Sequence, residues 1–125
     1  MYAGPVKAHA FAQFAKTCGG YARSCPLTNI TFVGDQFNRN QTKLMGYSVR
    51  VSGWRYTVWF GFDNRAVRAN TSHIIGRELY DHRGDTGMWL DFPGEKVNLA
   101  SDITFKLVVQ QLHSLVLKYV WDYKP

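Results

Sequence analysis

Residues 45–62 read MGYSVRVSGWRYTVWFGF, and the side chains on either side of Ser52-Gly53 alternate with period two. That alternation marks half-buried strands. A two-residue turn at Ser52-Gly53 sets Val51 against Trp54, Val49 against Tyr56 and Tyr47 against Val58. In this register Met45, Tyr47, Val49, Val51, Trp54, Tyr56, Val58 and Phe60 share one face. Ser48, Arg50, Arg55, Thr57 and Trp59 share the other. Both strands agree, so the stretch is read as a β-hairpin with one apolar face.

Outward from the hairpin, AHAFAQFAK (8–16) reads as a first strand ending at the Gly19-Gly20 loop. Residues 17–43 are polar and read as a long excursion, of a length that in compact domains is functional or packed on a partner. Residues 63–73 read as a polar link, followed by a strand over Gly76–Asp81 and a loop from His82 to Leu99. Ser101 or Asp102 suits a helix N-cap. The helix then runs to about Val120, with Phe105, Val108, Leu112, Leu115, Val116 and Tyr119 as its apolar stripe. At 1.5 Å per residue it is ~28 Å long. Strands first and one helix last predict an α+β fold, a small antiparallel sheet of about four strands packed against one C-terminal helix, and a single domain over 1–125.

At 46% hydrophobic and 15% aromatic residues, the 125-residue chain can bury a core and is not of disordered composition. Its net charge of +6 is uneven: residues 1–83 carry +7 and residues 84–125 carry −1. A basic front attracts polyanions, whether nucleic acid, sulfated glycans or acidic protein surfaces. No apolar run approaches the roughly 18–20 residues of a membrane span, so no membrane partner is expected. Residues 1–14 lack the apolar core of a signal peptide. The chain is therefore expected to be either cytosolic or an excerpt lacking its own leader.

Two counts favour the excerpt. Asn29-Ile-Thr31, Asn40-Gln-Thr42 and Asn70-Thr-Ser72 all fit the acceptor pattern for N-glycosylation. Cys18 and Cys25 flank a glycine-containing loop, and in an extracellular setting such a pair suggests a disulfide, which over so short a loop contributes ~2 kcal/mol at most.

Catalytic patterns are scarce. His9, His73, His82 and His113 are scattered without metal-ligand spacing, and His113 reads as a surface histidine. Asp81, Asp85, Asp91 and Glu95 cluster in one loop, but turn and cap roles explain them and no metal is assigned. Cys25 has no activating base nearby. Arg50 and Arg55 face each other across the hairpin, and like charges in that position repel. An anion is expected between them: Glu78 on the neighbouring strand, an acidic residue of another domain, or a bound sulfate or carboxylate. The aromatics of WRYTVWFGF fall mainly on the apolar face and lack the pattern of an RNA-stacking sheet, so no nucleic-acid partner is expected.

The order MGYSVRVSGWRYTVWFGF (45–62), GRELYDH (76–82), PGEKVNLA (93–100) and then a helix resembles the C-terminal subdomain of the sulfatase family. The resemblance covers residues 8–120, is best over 45–120, and points through MGYS and RYTVWFGF to a branch acting on glycosaminoglycan-type sugars. Thr86–Phe92 looks like an insertion relative to the common pattern. The resemblance implies a parent that hydrolyses sulfate esters with calcium and a formylglycine made within C/S-x-P-x-R. Cys25-Pro26-Leu27 does not fit that motif. It therefore implies no catalytic residue and no cofactor in this chain, which reads as a truncated product or excerpt. Arg50, Arg55 and Trp59 are the candidate substrate contacts. The missing N-terminal domain is the expected partner, with sulfated glycans as a further one, and a bared surface would favour a homo-oligomer. The expected location is the secretory pathway, lysosomal or extracellular. Two other readings stand beside this one, a stand-alone module binding sulfated or uronic-acid polysaccharides and a structural dimerisation domain.

Overall fold

The computed structural model describes residues 9–18, 30–31, 42–85 and 93–122. It has the α+β architecture expected from the sequence: an antiparallel sheet and one C-terminal helix. The strands are β1 (His9–Cys18), β2 (Ile30–Thr31), β3 (Thr42–Val51), β4 (Trp54–Asp63) and β5 (Arg68–Asp81), and the helix is α1 (Lys106–Asp122). The strand order is β2-β1-β3-β4-β5. The two-residue β2 falls inside the stretch read as an excursion, pairing Ile30 with Cys18 and Thr31 with Thr17. No helix among the described residues is long and apolar enough to cross a membrane.

The β3–β4 hairpin turns at Ser52-Gly53 as expected. Gly53 has φ +83°, a sign that position i+2 of a type II turn demands and that glycine adopts without a Cβ penalty. Thr57 Oγ1 donates to Ser48 Oγ at 3.0 Å, which places these two opposite each other in the register that also opposes Arg50 and Arg55.

The strand expected at Gly76–Asp81 is longer than the sequence suggests, because β5 begins at Arg68. Its first residues do alternate, with Arg68, Asn70 and Ser72 exposed and Ala69 and Thr71 half-buried. They carry no large apolar side chain to mark them as a strand. The polar link shrinks to a turn in which Asp63 Oδ1 accepts from the backbone N–H of Arg65 (2.9 Å) and Ala66 (3.1 Å). Those two donors hold the Asp63 carboxyl below its usual range.

The chain divides into two compact units, each discontinuous in sequence. The first comprises Met1–Ala12, Ser48–Thr57 and Glu78–Pro125. In it α1 packs on the sheet through Val109, Leu112 and Val116, all buried together with Val49, Tyr56 and Leu79. The buried row is spaced i, i+3, i+7, as a helix requires. Val109 opens this row, and the expected Val108 beside it is half-buried. Trp54 meets Phe105, and Phe11 stacks on Tyr119 with ring centroids 4.3 Å apart. His113 is not a surface histidine: it is half-buried, and its Nδ1 lies 2.8 Å from the hydroxyl of the fully buried Tyr56. Burial of that phenol requires a partner for its hydroxyl, and the helix supplies one. Asp102 caps the helical segment, its side chain accepting from Thr104 N–H.

The second unit comprises Gln13–Tyr47 and Val58–Arg77. Leu44, Met45, Tyr47, Val58 and Phe60 are buried in it, with the Tyr47 and Phe60 rings in tilted contact. Trp59 lies across Gly46. A Cβ at that glycine would stand 2.6 Å from Trp59 Cε3 and 2.7 Å from Cη2. Gly46→Ala is therefore expected to destabilise the protein by about 1–3 kcal/mol, the range for overpacking. A denaturant titration with an unchanged midpoint would contradict that close approach.

Candidate functional site

The polar side chains that the sequence sets on the hairpin converge in the first unit with those of the segment after β5. Gly53 sits at the hairpin tip, and its carbonyl accepts from the backbone N–H of His82 at 2.8 Å. That bond seats the His82 ring, only 8% exposed, between two carboxylates. His82 Nδ1 is 2.9 Å from Asp85 Oδ2, and Nε2 is 2.7 Å from Glu95 Oε1. Glu95 comes from a 3-10 turn over Pro93–Lys96. A neutral imidazole offers one N–H and an imidazolium two, so only the imidazolium donates to both carboxylates at once.

Each carboxylate also meets an arginine. Arg55 Nη1 lies 3.1 Å from Glu95 Oε1, and Arg50 Nη2 lies 3.9 Å from Asp85 Oδ2. Arg50 further donates from Nη1 to the carbonyls of Val51 and, at 3.3 Å, Trp54, closing the end of the hairpin. The Arg55 guanidinium also rests over the Tyr80 ring, 5.4 Å from its centroid. Asp85 and Glu95 of this chain are thus anions that oppose the two arginines. Glu78 accepts from the Tyr80 hydroxyl at 2.7 Å. That hydrogen bond, with a smaller contribution from burial, pushes the phenol up to about 12.

A second joint holds the lead into the helix. Asn98 Oδ1 accepts from the N–H of Leu79 and of Ala100, both at 3.0 Å, and Leu99 N–H donates to the Leu79 carbonyl at 2.8 Å. Asn98 and His82 were not singled out as site residues by sequence reasoning. The available signal was a histidine directly after ELYD and the asparagine of NLA, which carries no position in space.

Other expected site residues divide as follows. Arg50 and Arg55 come together with the acidic loop. Trp59 belongs to the second unit, where Lys16 Nζ stands 4.3 Å from its ring centroid. Asp81 pairs with Arg83, at 2.8 Å between Oδ2 and Nη2, and this hydrogen bond lowers its carboxyl. Asn70 is exposed. The Cys25, Asn29, Asn40, Asp91 and Thr86–Phe92 positions, and the side chain of Cys18, lie outside the described residues. Among the described residues no group of three or more His, Cys, Asp or Glu is placed to hold a metal ion. Asp81, Asp85 and Glu95 are each turned towards a cationic or imidazole partner.

Two outcomes follow. His82→Ala removes both ring contacts from carboxylates and is expected to cost about 2–3 kcal/mol, the scale of hydrogen bonds to charged groups; chemical denaturation with an unchanged midpoint would contradict it. Tyr80 has a phenol raised in the folded state above its unfolded value, so its contribution is whole below about pH 10 and is lost as pH rises through about 12. Glu78→Gln should bring the Tyr80 titration, followed by phenolate absorbance, back down. A titration that does not move would contradict the Glu78 bond as its cause.

No family model matches the chain. It is 50% identical over 46 residues to iduronate 2-sulfatase of Mus musculus, a stretch covering 37% of this chain and 8% of that protein. It is 41% identical over 64 residues to iduronate 2-sulfatase of Homo sapiens, covering 48% of this chain and 12% of that protein. The chain spans only about a tenth of the length of these curated relatives. Over that short region it resembles iduronate 2-sulfatase.

Proposed function

We propose that this chain is a non-catalytic C-terminal subdomain of an iduronate-2-sulfatase-like enzyme whose whole form hydrolyses sulfate esters of glycosaminoglycan-type sugars in the secretory pathway. One observation carries the non-catalytic part of the reading. Arg50 and Arg55, the pair best suited to a sulfate, already face Asp85 and Glu95. The carboxylates already beside both guanidinium groups would repel a sulfate approaching either one. The arrangement suits a brace better than a ligand site. In this reading calcium and formylglycine belong to an N-terminal catalytic domain outside this sequence. Ile103, Leu107 and Trp121, at 84, 73 and 64% exposed, give that domain an apolar surface to cover, and a second copy would cover it in the domain's absence.

The alternative, a module binding sulfated or uronic-acid polysaccharides, is favoured by one feature. Trp59 and Lys16 place an aromatic ring beside a cation, a combination suited to a sulfated sugar. Calorimetric titration with a short dermatan or heparan sulfate oligosaccharide separates the readings, alongside turnover of a fluorogenic sulfate ester. The brace predicts no turnover, and no saturable binding that depends on Arg50 or Arg55. Turnover surviving repurification, or saturable binding lost in folded Arg50→Ala and Arg55→Ala variants, would overturn it. Binding lost only in Trp59→Ala would move the function to the alternative.

A further inference from the structure

We propose that His82 is a proton-operated latch: with both ring nitrogens protonated it ties the Pro93–Lys96 turn to the hairpin tip, and with one proton lost it releases that turn. The latch goes beyond the function proposed above and does not depend on it. His82 is only 8% exposed, with Asp85 Oδ2 2.9 Å from Nδ1 and Glu95 Oε1 2.7 Å from Nε2. An ionised carboxylate can only accept, so each contact needs an N–H on the ring. A neutral imidazole has one. Its other nitrogen would then turn a lone pair towards a carboxylate oxygen at less than 3 Å, with little water to separate them.

The two contacts are not equivalent. Asp85 N–H donates to the His82 carbonyl at 3.0 Å, so the Asp85 side is fixed by a local turn. Its side chain is also the more buried, at 15% exposed against 34% for Glu95. Glu95 arrives from a separate 3-10 turn. The single N–H of the neutral ring therefore stays with Asp85, and the Glu95 contact is the one lost. The Asn98–Leu79 bond does not involve the ring, so the release is local to the turn.

The charges around the ring come from several elements. Arg50 and Arg55 of the hairpin face the same two carboxylates, and Asp81 and Arg83, on either side of His82 in sequence, pair with each other. Glu78 and Tyr80 of β5 are bonded together, with Arg55 over the Tyr80 ring. Arginine and carboxylate side chains ordinarily keep their charges from about pH 5.5 to 8, whereas imidazole changes its charge there. The latch is thus closed at the acid end of that range and opens as pH rises.

Denaturant unfolding of the whole chain at about pH 5.5 and about pH 8 tests the latch, with amide NMR across the same range. The unfolding equilibrium constant should rise about tenfold towards the higher pH, the scale of one hydrogen bond to a charged group. His9, His73 and His113 are also present, so His82→Gln and Glu95→Gln are measured beside the wild type. The first removes the titrating ring, and the second supplies an amide that can either accept from the ring or donate to it. Both should lose the tenfold difference. The amide resonances of Gly94, Glu95 and Lys96 should move together with the nitrogen-15 shifts of the His82 ring. A pH dependence equal in the wild type and the folded variants would overturn the latch. So would amides at 94–96 that stay fixed while the ring titrates, a result readable in the wild type even if neither variant folds.

Discussion

Two arginines facing one another across a tight hairpin impose the constraint on which the first unit depends. Cross-strand like charges are destabilising, and half-burial removes part of the water that would screen them. The chain answers with carboxylates drawn from beyond the next strand. Asp85 and Glu95 meet Arg50 and Arg55, and His82 joins the two carboxylates through its ring. Partly exposed ion pairs of this kind are each worth little on their own. Their collective effect is positional: they fix where the chain goes after β5, since His82 is also bonded through its backbone to the hairpin tip.

The words ELYD and NLA acquire a physical meaning from the same region. Leu79 is wholly buried, and its N–H and C=O are both taken by the Asn98–Leu99 segment. The two phrases are halves of one joint, which sets the start of α1 against the sheet. This is the place where strand, loop and helix are fastened.

The hairpin and the helix were legible because both follow from periodicity: two alternating runs closed by Ser-Gly, and an apolar stripe behind an aspartate cap. The first half of β5 was not. Arg68 to Ser72 forms a strand at the sheet edge, where little burial is demanded and polar residues suffice. His113 was misread because one histidine in a helix does not show that a buried tyrosine hydroxyl lies opposite. The need for anions beside Arg50 and Arg55 was visible from the register alone. Their identity was not, because Asp85 and Glu95 lie 30 and more residues away along the chain, and Glu78 was nearer in the expected sheet.

The central claim is that these arginines belong to an internal ion network. A double-mutant cycle on Arg55→Ala and Glu95→Ala, read by chemical denaturation, tests it most directly. Coupled residues that share one network are non-additive, with interaction energies of about 0.5 kcal/mol or more. The account predicts such coupling, with the double variant less destabilised than the two single losses combined. Strict additivity would contradict it and return Arg55 to the candidates for binding an external anion.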